Sequence, residues 1–327
     1  PGRLKDVKGM GWFVDEYNMA QVTVNLTDFR VTPIHVLFEE VKKEAAALNV
    51  GVAGSEIVGV VPLEAILMAA DHYIREENLF ILDKDQKVRL AVERMGLNSV
   101  SPFDPMEKII EYRVVEPPDE PLASMSLRGF IQEVGSRTSA PGGGSVSAAL
   151  AALGTSLGAM AAKLTYGVRK FEDLDAKMRE IIPPLHEASR ALIPMIDQDT
   201  DAFADFQEAL RLPKNTEEEK ALRLDRMQAG LKKAIQVPMK TMQMGDEAWQ
   251  ALVEAARHAN IACKSDIQVG ARALEAGIWG AYQNVRINMK DIQDEDFKSR
   301  ILEEADAMAQ RAASQAREIL VILEGRG

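Results

Sequence analysis

Ser139-Ala-Pro-Gly-Gly-Gly-Ser-Val146 opens a long stretch of the chain that carries no charged side chain and continues to Ala162. Three consecutive glycines allow the backbone to take positive φ or to approach another group closely. The alanines and glycines behind them predict a smooth helix, around which the C-terminal two-thirds of the chain packs. A glycine loop that opens a helix also leaves N–H groups free to attract an anion. Two interpretations therefore stand: a tight turn into a buried bundle helix, and an anion site.

The composition is that of a globular protein with room for two domains. The chain has 327 residues, of which 46% are hydrophobic and 27% charged, and its formal net charge is −11. Binding to nucleic acid is not expected, because neutralising phosphates requires a basic face with stacking aromatic residues. Binding of an anionic small molecule stays possible, since a few local lysines and arginines are enough to hold it.

The numbers and spacing of cysteines and histidines exclude further classes of site. The single Cys263 excludes a disulfide framework and fits a reducing cytosol, so we expect a cytoplasmic protein. The four histidines show no zinc-ligand spacing, and no metal is expected. The sequence shows no secretory signal peptide, and the uncharged stretch 142–162 is too rich in glycine, serine and alanine to predict a transmembrane segment. Because the chain begins with Pro1, we expect a longer parent protein.

Residues 1–114 have the pattern of an α/β domain. Alternating apolar residues predict strands over 7–15 and 19–29, joined as a hairpin. Helices are predicted from Thr32 and Pro33 to 49, from Pro62 to 74 and over 85–95. Two further strands are predicted over 50–61 and 108–114. Strands that alternate with helices predict an α/β sandwich-like subdomain.

The pattern changes at residues 115–123, which contain three prolines and three acidic residues and are interpreted as a linker. Residues 124–327 have helical periodicity throughout and begin with a helix capped by Ser126. Further helices are predicted over 142–162, 174–210, 216–245, 246–259, 265–289 and 294–323, with a kink at Pro194. The predicted fold class is α+β multi-domain: an N-terminal α/β sandwich-like subdomain followed by an all-α helical bundle.

Asp199 departs from the polarity pattern of its predicted helix. At about 100° per residue it lies about 200° from Asp197 and Asp201, on the apolar side of the helix. Asp197, Asp201 and Asp205 recur every four residues, as on a solvated face. A carboxylate on an apolar face either pairs with a cation or has a raised pKa, and both arrangements suit a general acid or base. The alternative is a structural buried ion pair.

The predicted helix over 265–289 carries a stripe of small and polar residues at intervals of three and four. The glycines predict close approach of a second helix, and the polar residues at its ends are candidates to face a cleft. The alternative is a set of packing glycines with Asp266 as a cap. Lys163, at the end of the uncharged helix, is interpreted as a charge that complements the helix dipole. The stripe consists of Asp266, Gly270, Ala273, Gly277, Gly280 and Asn284.

Several segments of the chain resemble the formiminotransferase-cyclodeaminase family of folate enzymes. Two segments besides the glycine motif resemble the cyclodeaminase domain: Leu210-Arg-Leu-Pro-Lys-Asn215 and Asn284-Val-Arg-Ile-Asn288. Three others resemble the C-terminal subdomain of the formiminotransferase: Pro1-Gly-Arg-Leu-Lys5, Gly11-Trp12 and Asn78-Leu-Phe-Ile-Leu82. The resemblance covers essentially the whole chain. It implies a transferase subdomain over 1–114, a linker over 115–123, and a helical cyclodeaminase domain over 124–327 that forms homodimers or larger rings.

The same resemblance implies roles for individual residues. Gly2, Arg3 and Leu4 match family positions that touch folate, and Asp199 matches the position of the cyclodeaminase acid/base. Tetrahydrofolate, carried as a polyglutamate, is then the substrate and one-carbon carrier. The pterin and the glutamate tail have further candidate ligands in the patterns described above: Gly142, Gly143, Gly144, Lys163, Asp266 and Asn284.

The activity that the resemblance implies belongs to histidine degradation. It is cyclodeamination of 5-formimidoyltetrahydrofolate to 5,10-methenyltetrahydrofolate and ammonia. Complete family members also transfer the formimino group of formiminoglutamate to tetrahydrofolate, with a histidine from a subdomain that this chain lacks. We therefore expect no transfer by this chain alone. Two alternatives are a methenyltetrahydrofolate cyclohydrolase and a non-catalytic helical scaffold for oligomerisation.

Overall fold

The computed structural model describes residues 3–16, 18–114 and 119–326. It separates into two compact units, Pro1–Pro118 and Asp119–Gly327. A small sheet and helices form the first unit, and helices form the described part of the second. The predicted α+β class is therefore confirmed in broad terms.

The first unit begins with an antiparallel hairpin. Strand β1 (Val7–Val14) pairs with strand β2 (Met19–Leu26), with Val7 opposite Leu26 and Val14 opposite Met19. The strands follow the alternating pattern of the sequence, so this prediction is confirmed.

Helices supply the rest of the first unit. Residues spaced along one face of α2 (Leu63–Glu76) and α3 (Lys84–Arg94), among them Ile66 and Val88, form its core together with Ile109. The predicted N-cap at Thr32 is wrong, because its hydroxyl donates to the carbonyl oxygen of Lys5 (2.6 Å). The helices are α1 (Ile34–Ala47), α2 (Leu63–Glu76), α3 (Lys84–Arg94), α4 (Pro105–Lys108) and α5 (Ile110–Val114).

The two further predicted strands, over 50–61 and 108–114, are wrong. Residues 50–61 contain Gly54 and Gly59 at φ of +152° and +80°, which interrupts an extended chain. Asp104 caps the helix that Pro105 begins, by accepting a hydrogen bond from the N–H of Met106 (2.9 Å), so the second segment is helical. A single parallel bridge between Val61 and Ile109 connects the two segments.

The second unit is a bundle of helices, as predicted. Ser126 caps α6, and its hydroxyl accepts from the N–H of Gly129 (3.1 Å). The predicted single helix over 174–210 is two helices, because Pro194 interrupts the hydrogen-bond ladder. The helices are α6 (Leu127–Val134), α7 (Gly143–Lys163), α8 (Asp175–Leu192), α9 (Met195–Arg211), α10 (Glu217–Glu247), α11 (Trp249–His258), α12 (Lys264–Asn288) and α13 (Glu295–Gly325).

Helices α7 and α12 pack closely along the predicted glycine stripe. A Cβ added to Gly154 would lie 2.6 Å from the carbonyl oxygen of Gly270, and one added to Gly277 would lie 2.7 Å from the amide nitrogen of Ala151. Real Cβ atoms do not approach backbone atoms this closely, so glycine is required at both positions. Contacts occur in reverse order along the two helices, which therefore run antiparallel.

Among the described residues, α7 is the one helix that is long and apolar enough to cross a membrane by length and composition alone. Most of its apolar stretch, 61%, is buried within the protein. Core helices of globular proteins satisfy the same criterion.

Candidate active site

Asp199 lies on α9, and its carboxylate contacts the start of α7. A Cβ added to Gly144 would lie 2.0 Å from Oδ1 and 2.3 Å from Oδ2 of Asp199. The space that a side chain at residue 144 would occupy is therefore taken by the carboxylate. This contact gives the third glycine of the sequence motif a definite role, because any other residue would displace the acid.

Ser145 is the hydrogen-bond partner of Asp199. Its hydroxyl donates to Oδ2 at 3.5 Å and also lies 3.3 Å from the hydroxyl of Thr200. Burial raises the pKa of Asp199, and hydrogen bonds from the backbone N–H and the side chain of Ser145 lower it by less. The net effect is a raised pKa. Ser145 was not among the predicted site residues, although its position directly after the glycines was a usable signal.

Asn284, near the end of α12, lies at the same end of α7. Its amide nitrogen would be 3.3 Å from a Cβ on Gly143 and donates to the carbonyl oxygen of Gly280 at 2.9 Å. The structure thus brings Asp199, Asn284 and the glycine loop together. These residues combine one carboxyl group with a raised pKa, one amide and a helix N-terminus.

Two other predicted site residues lie at the opposite end of the α7–α12 pair. Lys163 is the last residue of α7, about 30 Å along the helix axis from Gly143. Asp266 lies about 27 Å along α12 from Asn284. Lys163 is exposed, and its Nζ lies 3.5 Å from Nδ1 of His186. A single copy of the chain therefore does not bring either residue to Asp199.

The prediction that Asp197 faces solvent is wrong. Asp197 is only 4% exposed, and its two carboxylate oxygens accept the N–H groups of Leu122 (2.7 Å) and Ala123 (3.0 Å). Leu122 is buried as well, although it falls within the predicted linker. Asp201 and Asp205 are exposed, as the pattern predicted.

The start of α7, which was predicted to attract an anion, already has a carboxylate from the same chain beside it. The Asp199 carboxylate lies at the first turn of α7, where unpaired N–H groups and the helix dipole favour negative charge. A glutamate-tail carboxylate at Gly142, Gly143 or Gly144 would compete with it for these N–H groups. The tail role of the glycines stays a prediction.

The candidates at the start of the chain belong to the first unit. Gly2 lies outside the described residues. Arg3 is exposed and donates to the carboxylates of Glu40 (2.7 Å) and Glu44, so its charge is already paired. Leu4 is half-buried. Contact of these residues with folate stays a prediction.

A cavity of about 600 Å³ lies between α9 and α10, and Asp205, six residues beyond Asp199, is among the residues that line it. Apolar side chains such as Leu212 and Leu222 line it together with the cations Arg226 and Lys233. Its volume is in the range of small-molecule sites. Over residues 3–16, 18–114 and 119–326, no group of three or more His, Cys, Asp or Glu residues is placed to bind a metal ion.

Comparison with known proteins decides the family. Residues 126–307 match the family model described as formiminotransferase-cyclodeaminase, and residues 1–115 match that of the formiminotransferase domain. The chain belongs to the formiminotransferase-cyclodeaminase family. The resemblance seen in the sequence motifs is confirmed.

Members of the family match over the full chain. The formimidoyltransferase-cyclodeaminase of Dictyostelium discoideum is 52% identical over 328 residues, which are 100% of this chain and 60% of that protein. The chain thus spans about three fifths of the length of the curated relatives that it matches end to end. A methenyltetrahydrofolate cyclohydrolase of Methylorubrum extorquens is 31% identical over 189 residues, covering 58% of this chain and 91% of that protein.

A crystal structure of a cyclodeaminase shares the fold of a large part of the chain. Formiminotetrahydrofolate cyclodeaminase from Thermotoga maritima superposes with a TM-score of 0.55 at 28% sequence identity. The match covers 62% of this chain and 97% of that protein.

Proposed function

We propose that the helical unit catalyses cyclodeamination of 5-formimidoyltetrahydrofolate to 5,10-methenyltetrahydrofolate and ammonia. The observation that carries this proposal is the Asp199 carboxyl group, which lies against Gly144 at the start of α7 with a raised pKa. Membership of the family and the named activity of the Thermotoga maritima protein support it. The proposal takes tetrahydrofolate as the one-carbon carrier and places the reaction in the cytoplasm.

The reaction needs one group that both accepts and donates a proton. N10 of the folate attacks the carbon of the protonated formimidoyl group, and a tetrahedral intermediate forms. Ionised Asp199 accepts the proton of N10 and then donates it to the departing nitrogen, so that the carbon–nitrogen bond breaks and ammonia leaves with the electron pair. A carboxyl group with a raised pKa suits both steps, and general acid–base catalysis of this kind contributes about 10²–10⁴-fold.

Asp199→Asn tests this assignment. The amide keeps the shape of the side chain but cannot accept the proton of N10, so turnover should fall by about 10²–10⁴-fold while the fold is retained. Formation of methenyltetrahydrofolate absorbance from enzymatically prepared 5-formimidoyltetrahydrofolate is the measurement. Asp201→Asn, an exposed acid on the same helix, is the matched control. Unchanged turnover of Asp199→Asn would contradict the role of Asp199, whereas a wild type without turnover would favour the scaffold alternative.

A cyclohydrolase is the second candidate, because the Methylorubrum extorquens relative of that name matches 189 residues of the chain. It would hydrolyse methenyltetrahydrofolate at the same site. Ammonia release from the formimidoyl substrate and 10-formyl product from the methenyl substrate, measured side by side, separate the two activities. The cyclodeaminase proposal expects ammonia release to be the faster reaction.

For the first unit, we propose the role of a formiminotransferase subdomain. The sandwich-like arrangement that was expected for this subdomain stays a prediction. Residues 1–115 match that domain model, and this chain alone is expected not to transfer the formimino group. His35 supports this expectation, since it is buried and stacked on His72 with a ring-centroid distance of 4.5 Å. The measurement is transfer from formiminoglutamate by this chain, and turnover would contradict the expectation.

A further inference from the structure

One side of α9 carries Asp199, Phe203 and Gln207 at intervals of four residues. Residues four apart are neighbours on a helix surface, each about 6 Å further along the axis and about 40° further round it. All three are half-buried, so solvent reaches this side of the helix in part. The row therefore leads from the acid toward the end of α9 at Arg211.

The loop before α7 contacts both ends of this row. Gln207 donates from Nε2 to the hydroxyl of Ser139 (3.1 Å), and at the other end the Asp199 carboxylate contacts Gly144. The two contacts are about 12 Å apart along the helix axis, and Phe203 lies between them in the row. We call residues 136–142 together with the three residues of the row the α9–loop surface.

The opposite direction along α9 from Asp199 is closed. Met195 and Ile196, about one turn earlier, are 5% and 8% exposed and share a core with Ala148 of α7. A substrate that reaches the acid cannot extend over them. Two directions remain open to it: along the row, or across to Asn284 beside the first glycines of α7.

Arg137 supplies a positive charge at the far end of the row. It is exposed, lies two residues before Ser139, and forms no ion pair with any side chain in the part of the chain that the structure describes. Lys233, on the neighbouring α10, is by contrast paired with Asp205. The Ser139 hydroxyl accepts from Gln207, and a hydroxyl that accepts one bond can still donate another. The loop thus offers a guanidinium and a hydroxyl to an anion.

The order of groups along this surface matches the order of groups in a folate. In the proposed reaction Asp199 takes the proton of N10, so N10 lies at the acid. The p-aminobenzoyl ring is bonded to N10, and the glutamate follows the ring. One helical turn from Asp199 the ring reaches Phe203, and a second turn brings the glutamate carboxylates to Ser139 and Arg137. The pterin then extends toward Asn284, whose amide suits the donors and acceptors of its edge.

We propose that the α9–loop surface binds the p-aminobenzoylglutamate half of the folate, with the ring against Phe203 and a glutamate carboxylate on Arg137. Gln207 is a positioning residue, because it holds the loop that carries Arg137. The register rests on the proposed function, since Asp199 fixes it, but the binding itself needs no turnover. The assignment also gives the tail carboxylate a partner away from Gly144, where the Asp199 carboxylate already lies.

Three ligands of decreasing length test the assignment by binding alone. 5-Formyltetrahydrofolate carries the pterin, the ring and the glutamate, whereas 5-formyltetrahydropteroate lacks the glutamate. The third ligand, 5-formyl-6-methyltetrahydropterin, lacks the p-aminobenzoyl ring as well. In each the formyl group stands in for the formimidoyl group and has no ammonia to release. Isothermal titration calorimetry at neutral pH measures the Kd of the whole chain for each ligand.

Arg137→Met should weaken binding of 5-formyltetrahydrofolate about tenfold, because a charged hydrogen-bond partner of the glutamate is lost. Its Kd for the two shorter ligands should change by less than about twofold, since neither has a group that meets Arg137. Gln207→Leu should show the same selectivity, because the loop is no longer held in place. Arg317→Met, exposed on α13, is the matched control and should change none of the three values.

Phe203→Leu should weaken binding of the two ligands that contain the p-aminobenzoyl ring by about two- to tenfold, as loss of an aromatic pair does. Leucine keeps the position apolar, so the fold should be retained, which circular dichroism verifies. The Kd for 5-formyl-6-methyltetrahydropterin should stay unchanged. Phe297→Leu, half-buried on α13, is the matched control.

Other patterns would overturn the assignment. Unchanged binding of 5-formyltetrahydrofolate by Arg137→Met would remove the carboxylate contact, and an equal loss for all three ligands would mean that Arg137 acts on the fold. Weaker binding of the pterin ligand by Phe203→Leu would place the pterin, and not the ring, on α9. A wild type that binds none of the three ligands would overturn the proposal as a whole.

The outcomes separate this proposal from the proposed function. A wild type that binds with the expected pattern, but releases no ammonia from 5-formimidoyltetrahydrofolate, would contradict the proposed function and leave the α9–loop surface standing. Ammonia release by a wild type whose ligand preferences do not depend on Arg137 or Phe203 would do the reverse.

Discussion

The carboxylate of Asp199 occupies the space that a Cβ of Gly144 would fill, with 2.0 Å between that Cβ position and Oδ1. The start of α7 and the acid on α9 are therefore fitted to each other. The third glycine of the motif leaves the space that the acid occupies, at the helix end where N–H groups are unpaired. The contact with Gly144 fixes where the Asp199 carboxyl group lies, and its burial there raises its pKa.

Gly144→Ala is expected to displace the acid. The methyl group cannot share space with the carboxylate, and a shift of about 1 Å in a reacting group costs about 10²-fold in turnover. The measurement is kcat for methenyltetrahydrofolate formation, with circular dichroism to verify the fold. Gly135→Ala is the control, because its Cβ would make ordinary contacts of 3.6 Å with carbonyl oxygens of α6. Full activity of Gly144→Ala would exclude this geometry.

Ser145→Ala is expected to move the pH dependence of the reaction. The Ser145 hydroxyl lowers the pKa of Asp199 against the larger effect of burial, so its removal should raise that pKa further. Asp199 must be ionised to accept the proton of N10, and the acidic limb of kcat/KM should therefore shift to higher pH. Ser156→Ala, elsewhere on α7, should leave the limb in place. A shift to lower pH would refute this role of the hydroxyl.

Asp197→Ala is expected to destabilise the helical unit. Both carboxylate oxygens accept backbone N–H groups from residues 122 and 123, and hydrogen bonds to a charged group contribute about 1.5–3 kcal/mol each. Loss of both bonds should lower the free energy of unfolding by about 3–6 kcal/mol. Urea titration measures the change, and Asp201→Ala should stay within about 0.5 kcal/mol of the wild type. Equal effects of the two substitutions would contradict the structural role of Asp197.

Asp197 and Asp199 show what helical periodicity predicts and where it fails. Helical periodicity placed Asp199 and Asp197 on different faces, as observed, but it assumed one continuous apolar face across Pro194. The chain begins a new helix there, and α9 need not keep the facing of α8. Asp197 is consequently the more buried acid, turned toward residues 122 and 123.

In the rest of the fold, too, some features were predictable from the sequence and others were not. Helix existence and the close approach at Gly270 and Gly277 were predictable, since small residues at intervals of three and four indicate a packed helix face. The packing of this face against α7 was not predictable, because periodicity gives no information about contacts between distant parts of the chain. The strands over 50–61 and 108–114 failed for a related reason: an extended segment needs a pairing partner, and the glycines interrupt it first.

His35 is expected to make the stability of the first unit depend on pH. His35 is 6% exposed, and its Nδ1 has no hydrogen-bond partner within the described residues. Burial, assisted by His72 and Arg75, lowers its pKa from 6.5 to about 4. Between these values the unfolded chain binds a proton that the native chain does not. The free energy of unfolding should therefore fall as the pH decreases from 6.5 to 4, by at most about 3 kcal/mol from this group.

Comparison with His35→Phe isolates this contribution from that of the carboxylates. The variant cannot take up the proton, so the wild type should lose more stability than the variant between pH 6.5 and 4, and the difference should be constant above pH 6.5. Urea titrations followed by the fluorescence of Trp12, with Trp249 and Trp279 replaced by Phe, report on this unit. His258→Phe, in the other unit, should leave the curve unchanged. Parallel pH curves for the wild type and His35→Phe would show that His35 takes up its proton equally in both states.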